Sequence, residues 1–436
     1  MMTPKIVSAH WLTAACAALI PTTSIAQDLV DSDLGLDVAL YGLDDDELAM
    51  LFDNDEAEAG SLREALQGGH SWVNFRLRHE EVDADASPKK GHASTLRTRL
   101  GYETGMWNDL SGTLEFDDVH FVAYDAYTGG GHTRAGRPTV ADPQGAGLNQ
   151  ASITWHGEND STATLGRQKL EVNNERFIGD VGWRQNDQTF DAAVYNNPAV
   201  GPVALMAAYI RGQNTVAGGK TNMDGIVLNV TKEFEDVGTV GVYDYAFEFD
   251  AVDSSTNTIG AFFDGRVSAG DDIDVLFRVE GANQSDFGDS DITVDTSYMR
   301  AQVGGEASGW TAILGTEVLG GADGNDASFS TPLATGHAFN GWADVFLTTP
   351  AAGLVDNFVQ VSTSIADIDL DVIYHAFTAD DSVADDDFGS EVDFRATKAL
   401  SENSNAGVKV ASYSAGSGNA ATGDVMKAWL WVTYSF

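Results

Sequence analysis

The sequence predicts an all-β fold: a transmembrane up-and-down antiparallel β-barrel of about 18 strands, with sixteen as the alternative, behind an acidic N-terminal extension. Three observations predict it. From Ser71 to Phe436 apolar and polar side chains alternate with period two, segment after segment. The connections between these segments are alternately short and long. The composition, with 46 Gly, 21 Phe, 12 Tyr and 9 Trp against only 9 Pro, suits many tight turns and aromatic girdles. No apolar run after the leader approaches the roughly 18 residues of a spanning helix; the longest clear one is residues 203–210.

Taken in order, residues 1–26 read as a signal peptide: Lys5, an apolar stretch over 6–20, then Ser24, Ile25 and Ala26 as a small-residue cleavage site before Gln27. The single cysteine, Cys16, lies inside it, so the mature chain is expected to hold neither an internal disulfide nor a thiolate metal site. Thr13, Ala14 and Ala15 make a poor setting for lipidation of Cys16. Residues 27–70 form an acidic segment, mostly flexible or short-helical, with Asp44, Asp45, Asp46 and Glu47 in a row. Leu48, Leu51 and Phe52 would line one short helix, and residues 61–66 another.

Residues 71–436 form the barrel, with eighteen strand candidates running from 72–81 to 425–436. Links such as 105–109, 235–236, 305–307 and 366 are short, whereas 82–92, 123–147, 212–222 and 320–355 are long and polar. An outer-membrane barrel sorts its connections this way, with periplasmic turns short and outward loops long, and closure leaves no unpaired edge. In the last segment Ala428, Leu430, Val432, Tyr434 and Phe436 face lipid, and Lys427, Trp429, Trp431, Thr433 and Ser435 the other side. Phe436 is expected to close the sheet against the first strand at the periplasmic rim.

The same parity places Arg76 and Arg78 of the first strand, and Arg97 and Arg99 of the second, on one inner wall. At about 7 Å each pair repels by roughly 0.6 kcal/mol in bulk water and about 2.4 kcal/mol at an effective dielectric of 20. Two readings account for how the wall tolerates this. Glu115 and Asp117 on the third strand form a carboxylate ladder that stiffens it, or the arginines form a basic track for an anionic solute. The connection 171–187 is the third outward loop. Folded inward, it sets a mixed-charge constriction through Arg176, Arg184, Glu171, Glu175, Asp180 and Asp187; left outside, it is a solvated loop. Arg134, Arg137, Arg167 and Lys169 continue the bias, and 13 of the 24 basic residues fall between Arg63 and Arg184. A lumen favouring anions is expected despite the net charge of −42.

That charge excludes nucleic acid as a partner. Acid clusters at Asp380, Asp381 and 385–387, and at Asp286, Asp289 and Asp291, either bridge through divalent ions to lipopolysaccharide phosphates or are simply solvated; none has the spacing of a calcium loop. No enzyme motif is present, the nine histidines are scattered, and no cofactor or resident metal is expected. The partners expected are outer-membrane lipid and lipopolysaccharide, and small anionic solutes or a polyuronate.

Residues 166–192, GRQKLEVNNERFIGDVGWRQNDQTFDA, residues 340–354, NGWADVFLTTPAAGL, and residues 94–105, STLRTRLGYETG, resemble the alginate-export-domain family of Gram-negative outer-membrane channels. The resemblance implies an Arg-lined eighteen-stranded pore, in which Arg97, Arg99, Arg167, Arg176 and Arg184 are lumen or loop arginines. The resemblance implies Lys at the position of Val345 and Arg at that of Lys169, and the loss of a positive charge at Val345 weakens the case for a polyanion. Passive diffusion of small hydrophilic, anionic solutes is therefore the first expectation. Export of an anionic polysaccharide such as alginate is the second, and a structural or adhesive barrel the third.

Overall fold

A computed structural model describes residues 59–436, apart from 130–131, 251–254, 271, 289, 291, 323 and 325. The signal peptide, Cys16 and the acidic run up to residue 58 lie outside the described residues, as do Asp289 and Asp291. The strands are β1 (His70–Ala84), β2 (Gly91–Glu103), β3 (Leu110–Ala126), β4 (Gly145–His156), β5 (Thr162–Gln168) and β6 (Thr189–Val200). Then come β7 (Val203–Asn214), β8 (Lys220–Phe234), β9 (Gly238–Phe249), β10 (Thr256–Ser268), β11 (Ile273–Asp286) and β12 (Asp295–Ala307). The wall is completed by β13 (Trp310–Leu319), β14 (Leu354–Ile365), β15 (Ile368–Thr378), β16 (Asp387–Ser401), β17 (Ser404–Ala415) and β18 (Val425–Ser435).

Each strand pairs antiparallel with its sequence neighbours, and β1 pairs with both β2 and β18, so the 18-stranded sheet is closed. At the seam the Val73 amide donates to the Phe436 carbonyl (2.8 Å) and the Phe436 amide to the Val73 carbonyl (3.0 Å). Closure removes the edge that an open sheet would expose to lipid. Among the described residues no helix is long and apolar enough to cross a membrane; strands do the spanning.

The period-two pattern sorts the two faces. Leu77, Leu100, Phe116, Ile153, Leu165, Ile226, Val279, Leu314, Val372 and Leu430 are exposed on the outside, a band of bare apolar surface that only a membrane covers. Their strand neighbours point inward. The inner face of β6 to β9 is itself apolar, with Phe190, Ile210, Met223, Val227 and Tyr245 buried, while that of β1 to β3 is charged.

Short turns close one end of the barrel. Ala366 and Asp367 have φ of 53° and 59°, the left-handed pair that a two-residue hairpin needs to match strand twist. At this end a short helix, α1 (Leu62–Gly68), is capped by the Ser61 hydroxyl, which accepts from the Glu64 amide at 3.3 Å. Tyr102 donates to the Leu66 carbonyl at 2.7 Å and fixes α1 beside the first turn. The long connections gather at the other end, and two of them, residues 169–188 and 320–353, fold back into the lumen.

Candidate functional site

On β1 the outward positions are Val73, Phe75 and Leu77, so Asn74, Arg76, Arg78 and Glu80 face the lumen. On β2 Leu100 is exposed outside, and Arg97 and Arg99 are buried inside. Arg76 and Arg97 are direct cross-strand partners, as are Asn74 and Arg99. At Gly101, one position below Leu100, an added Cβ would lie 1.9 Å from the Trp72 ring, so glycine is what lets that indole lie flat and donate to Glu115 Oε2 at 2.8 Å.

Carboxylates meet some of these guanidiniums and not others. Arg99 bonds Asp117 through two nitrogens at 2.6 and 2.9 Å, approaches Glu115 at 3.6 Å, and reaches Asp187 of the third outward loop at 2.6 Å. Arg78 pairs with Asp142 of the second outward loop and, at 3.5 Å, with Glu80. Arg76 is held only by neutral loop groups: Gln185 Oε1 at 3.0 Å, the Gly182 carbonyl at 2.9 Å and the Arg184 carbonyl. Arg97 donates to Asn74 Oδ1 at 2.6 Å, and its buried Nε has no partner. Among the described residues neither Arg76 nor Arg97 forms an ion pair, and Arg97 senses Asp187 without touching it. The ladder thus engages Arg99 directly, while Arg76 and Arg97 have no ion pair of their own.

The third outward loop lies across the lumen. Arg176 reaches the far wall, where Nε meets Glu317 of β13 at 2.9 Å, and it donates to Asn340 at 3.1 Å. Arg184 bridges Glu80 at 3.1 Å and Asp344 at 2.9 Å. Lys169 bonds Asp180 and Asp187, both at 2.8 Å. Burial alone would raise Asp187, yet Arg99 and Lys169 hold its carboxyl well below the usual range. Phe177 packs on Tyr243, Tyr245 and Tyr298, and Trp183 on Trp429 and Trp431. Arg167 departs from the group. It shares parity with exposed Leu165, and its Nε pairs at 2.8 Å with Asp191, which Lys220 also holds at 2.6 Å, on the outer face.

A second loop, residues 320–353, also enters the lumen, although its length and polarity predict an external connection. Phe329, Leu333, Phe339, Trp342 and Phe346 are buried there. The Lys409 ammonium of β17 lies between Trp183 at 4.2 Å and Trp342 at 3.8 Å from the ring centroids, clamping one loop to the other. Asp344 takes His337 and Lys427 at 2.6 Å each as well as Arg184. Burial would raise it, but His337, Lys427 and Arg184 together keep it well below the carboxylate range. Parity could have found Glu80, Glu317 and Lys409, since each sits at an inward strand position. Asp344 carried no such signal, because its setting depends on where its loop goes. A cavity of about 160 Å³ remains beside the plug, lined by Asn173, Thr231, Thr239, Phe262, Asp264 and Arg278.

No family model matches this chain, and no curated protein matches it. Solved structures do. OccK9 (OpdG) of Pseudomonas aeruginosa superposes with a TM-score of 0.68 at 14% identity, over 85% of this chain and 99% of that one. OpdK of the same organism, solved with vanillate, gives 0.67 at 12% identity over 85% and 99%. OccAB2 of Acinetobacter baumannii gives 0.66 at 12% identity over 86% and 99%. At such identities the likeness is one of fold. It overturns the resemblance to the alginate-export-domain family: the chain shares its architecture with these Occ barrels, and no family model supports the other kinship. The physical reason lies in the stretches that carried the resemblance. Residues 166–192 and 340–354 are in-folded loop or its flanks and residues 94–105 are a wall strand, and in this chain their Arg, Asp and Trp side chains are used to pin the loops to the wall, a packing role that does not by itself indicate descent. Val345 packs against the buried apolar cluster, so that position needs no cation, and a polyuronate partner has no support here.

Proposed function

We propose that the protein is an outer-membrane channel for passive diffusion of small hydrophilic, anionic solutes. The observation that carries this is the side-by-side pair of half-buried Arg76 and buried Arg97 on the lumen wall, neither with a carboxylate partner and Arg97 with an unpartnered N–H. An uncompensated buried cation costs several kcal/mol, and a passing anion offsets that cost where a passing cation adds to it. Arg78, Arg99, Arg176 and Arg184 have their carboxylates, and so serve to hold the loops in place around the pair. OpdK, similar in fold, was solved with vanillate, a small carboxylate. Two loops meeting across the lumen suit solutes of that size better than a polysaccharide chain. The outward apolar band and the closed wall place the barrel in the outer membrane of a Gram-negative cell, and the reading gives the chain no catalytic step.

Reversal potentials in planar bilayers under a salt gradient test it. The native channel is expected to favour chloride over potassium, and Arg97→Gln to lower that preference severalfold at unchanged fold, with Arg76→Gln acting in the same direction while also loosening the third loop. A native channel selective for potassium would refute the reading.

A further inference from the structure

The outer face of β1 and β2 changes character above Leu77 and Leu96. The next outward positions are His79 and Glu81 on β1 and Ser94 and His92 on β2, where polar side chains replace the apolar band. Glu81 and His92 are direct cross-strand partners, and His79 is two residues from Glu81 on the same face. The register of this hairpin thus brings together two histidines from its two strands. Their ligating atoms and a Glu81 oxygen all lie within 4.8 Å of one another. From these placements we infer that His79, Glu81 and His92 form a binding site for one transition-metal ion of the Zn2+ class.

Donor chemistry sets the class. Two imidazole nitrogens and one carboxylate oxygen suit a borderline ion, whereas Ca2+ and Mg2+ favour sets made of oxygen alone. Tetrahedral bonds of about 2.0–2.1 Å put ligand atoms about 3.4 Å apart. His92 Nδ1 and Glu81 Oε2 stand at 3.8 Å, so closing round an ion takes only small side-chain rotations. The His79 Nδ1 lies 2.8 Å from the Ser94 hydroxyl; with Nδ1 as donor, the Nε2 lone pair is left for a metal, the outer hydrogen bond that orients a ligating imidazole. The two imidazoles are near parallel at 19°, and the Tyr124 ring lies edge-on to His79 at 5.8 Å, shielding one side. Lys90 holds Glu81 Oε1 at 3.2 Å and Asp83 at 2.8 Å, and the second bond lets it remain in place when Glu81 turns to an ion. Three protein ligands leave a fourth position for water. The site rests on two paired strands, so little ordering is needed to form it.

The test uses the folded full-length barrel in detergent micelles. Calorimetric titration is expected to show one saturable Zn2+ site and no Mg2+ site. Glu81→Gln and His92→Gln should each weaken Zn2+ binding at least tenfold. All three groups lie on the outer surface, and heat-modifiable gel mobility checks that the variants still fold. Co2+ added to the native protein should give the visible absorption of a tetrahedral nitrogen and oxygen site, a readout that needs no variant. Absence of saturable Zn2+ binding, Zn2+ binding unchanged in the Glu81→Gln, His92→Gln double variant, or a purely octahedral Co2+ spectrum would each overturn the inference.

Discussion

The Glu175 carboxyl lies where the two in-folded loops meet, accepting from the Thr335 hydroxyl and, at 3.3 Å, from the Asp180 amide. Burial pushes its pKa up to about 7, and the nearby Asp180 and Glu171 charges add to the rise against the pull of the Thr335 bond. A carboxyl whose pKa rises on folding stabilises the folded arrangement fully below its unfolded value near 4.5, and this contribution is lost as pH climbs through about 7. The loop contact should therefore be tight at pH 5 and weaker at pH 8, by up to about 3 kcal/mol for a shift of this size. Glu175→Gln is expected to flatten the pH dependence of open-channel noise and of protease nicking in residues 169–188; noise that keeps its pH profile in that variant would assign the dependence elsewhere. Nothing in the sequence around Glu175 announced this, since its burial is imposed by Thr335, 160 positions away. The inward placement of Arg97, Arg99, Glu115 and Asp117, by contrast, was legible, because a strand offers a side chain only two directions.

Strands and loops differ in how far local pattern determines them. In β18, Leu430 and Val432 stand exposed to lipid while Trp429 and Trp431 are buried against Trp183, the division that period two predicts. Leu430→Arg should cost about 2–4 kcal/mol of folding free energy in bilayers, and Thr433→Arg, facing the other way, close to nothing. Equal costs in denaturant titrations of the two variants would contradict the assigned faces. A loop has no such constraint, and its course depends on what it can bury. Residues 169–188 offered alternating charges that fit either an inward or a solvated course. Residues 320–353 did carry a signal: Phe329, Leu333, Phe339, Trp342 and Phe346 have nothing to pack against outside a barrel, and read together they call for an interior. Arg167 went the other way, its parity with Leu165 outweighing the local run of basic residues.

The wall and the plug are separable, which makes the channel's bore a property of the loops. Closure rests on strand pairing, including the eleven-residue register between β1 and β18, to which neither in-folded loop contributes. The wall sets the outer dimension of the lumen, and the clamp of Lys409 between Trp183 and Trp342, with Asp344 between Arg184 and Lys427, sets how much of it is filled. Leu319 and Leu354 are themselves cross-strand partners, so residues 320–353 can be replaced by a tight hairpin turn without moving either strand. Losing the loop strips cover from Phe377, Phe388 and Tyr413, so the thermal midpoint should fall, yet the barrel should still assemble and show heat-modifiable mobility. Single-channel conductance should then rise severalfold and liposome swelling should admit larger sugars. Anion preference should persist in weakened form, because Arg76 and Arg97 remain on the wall while the wider bore lets water screen them. An assembled loop-deleted barrel with native conductance would mean that solutes pass on a route the plug does not obstruct.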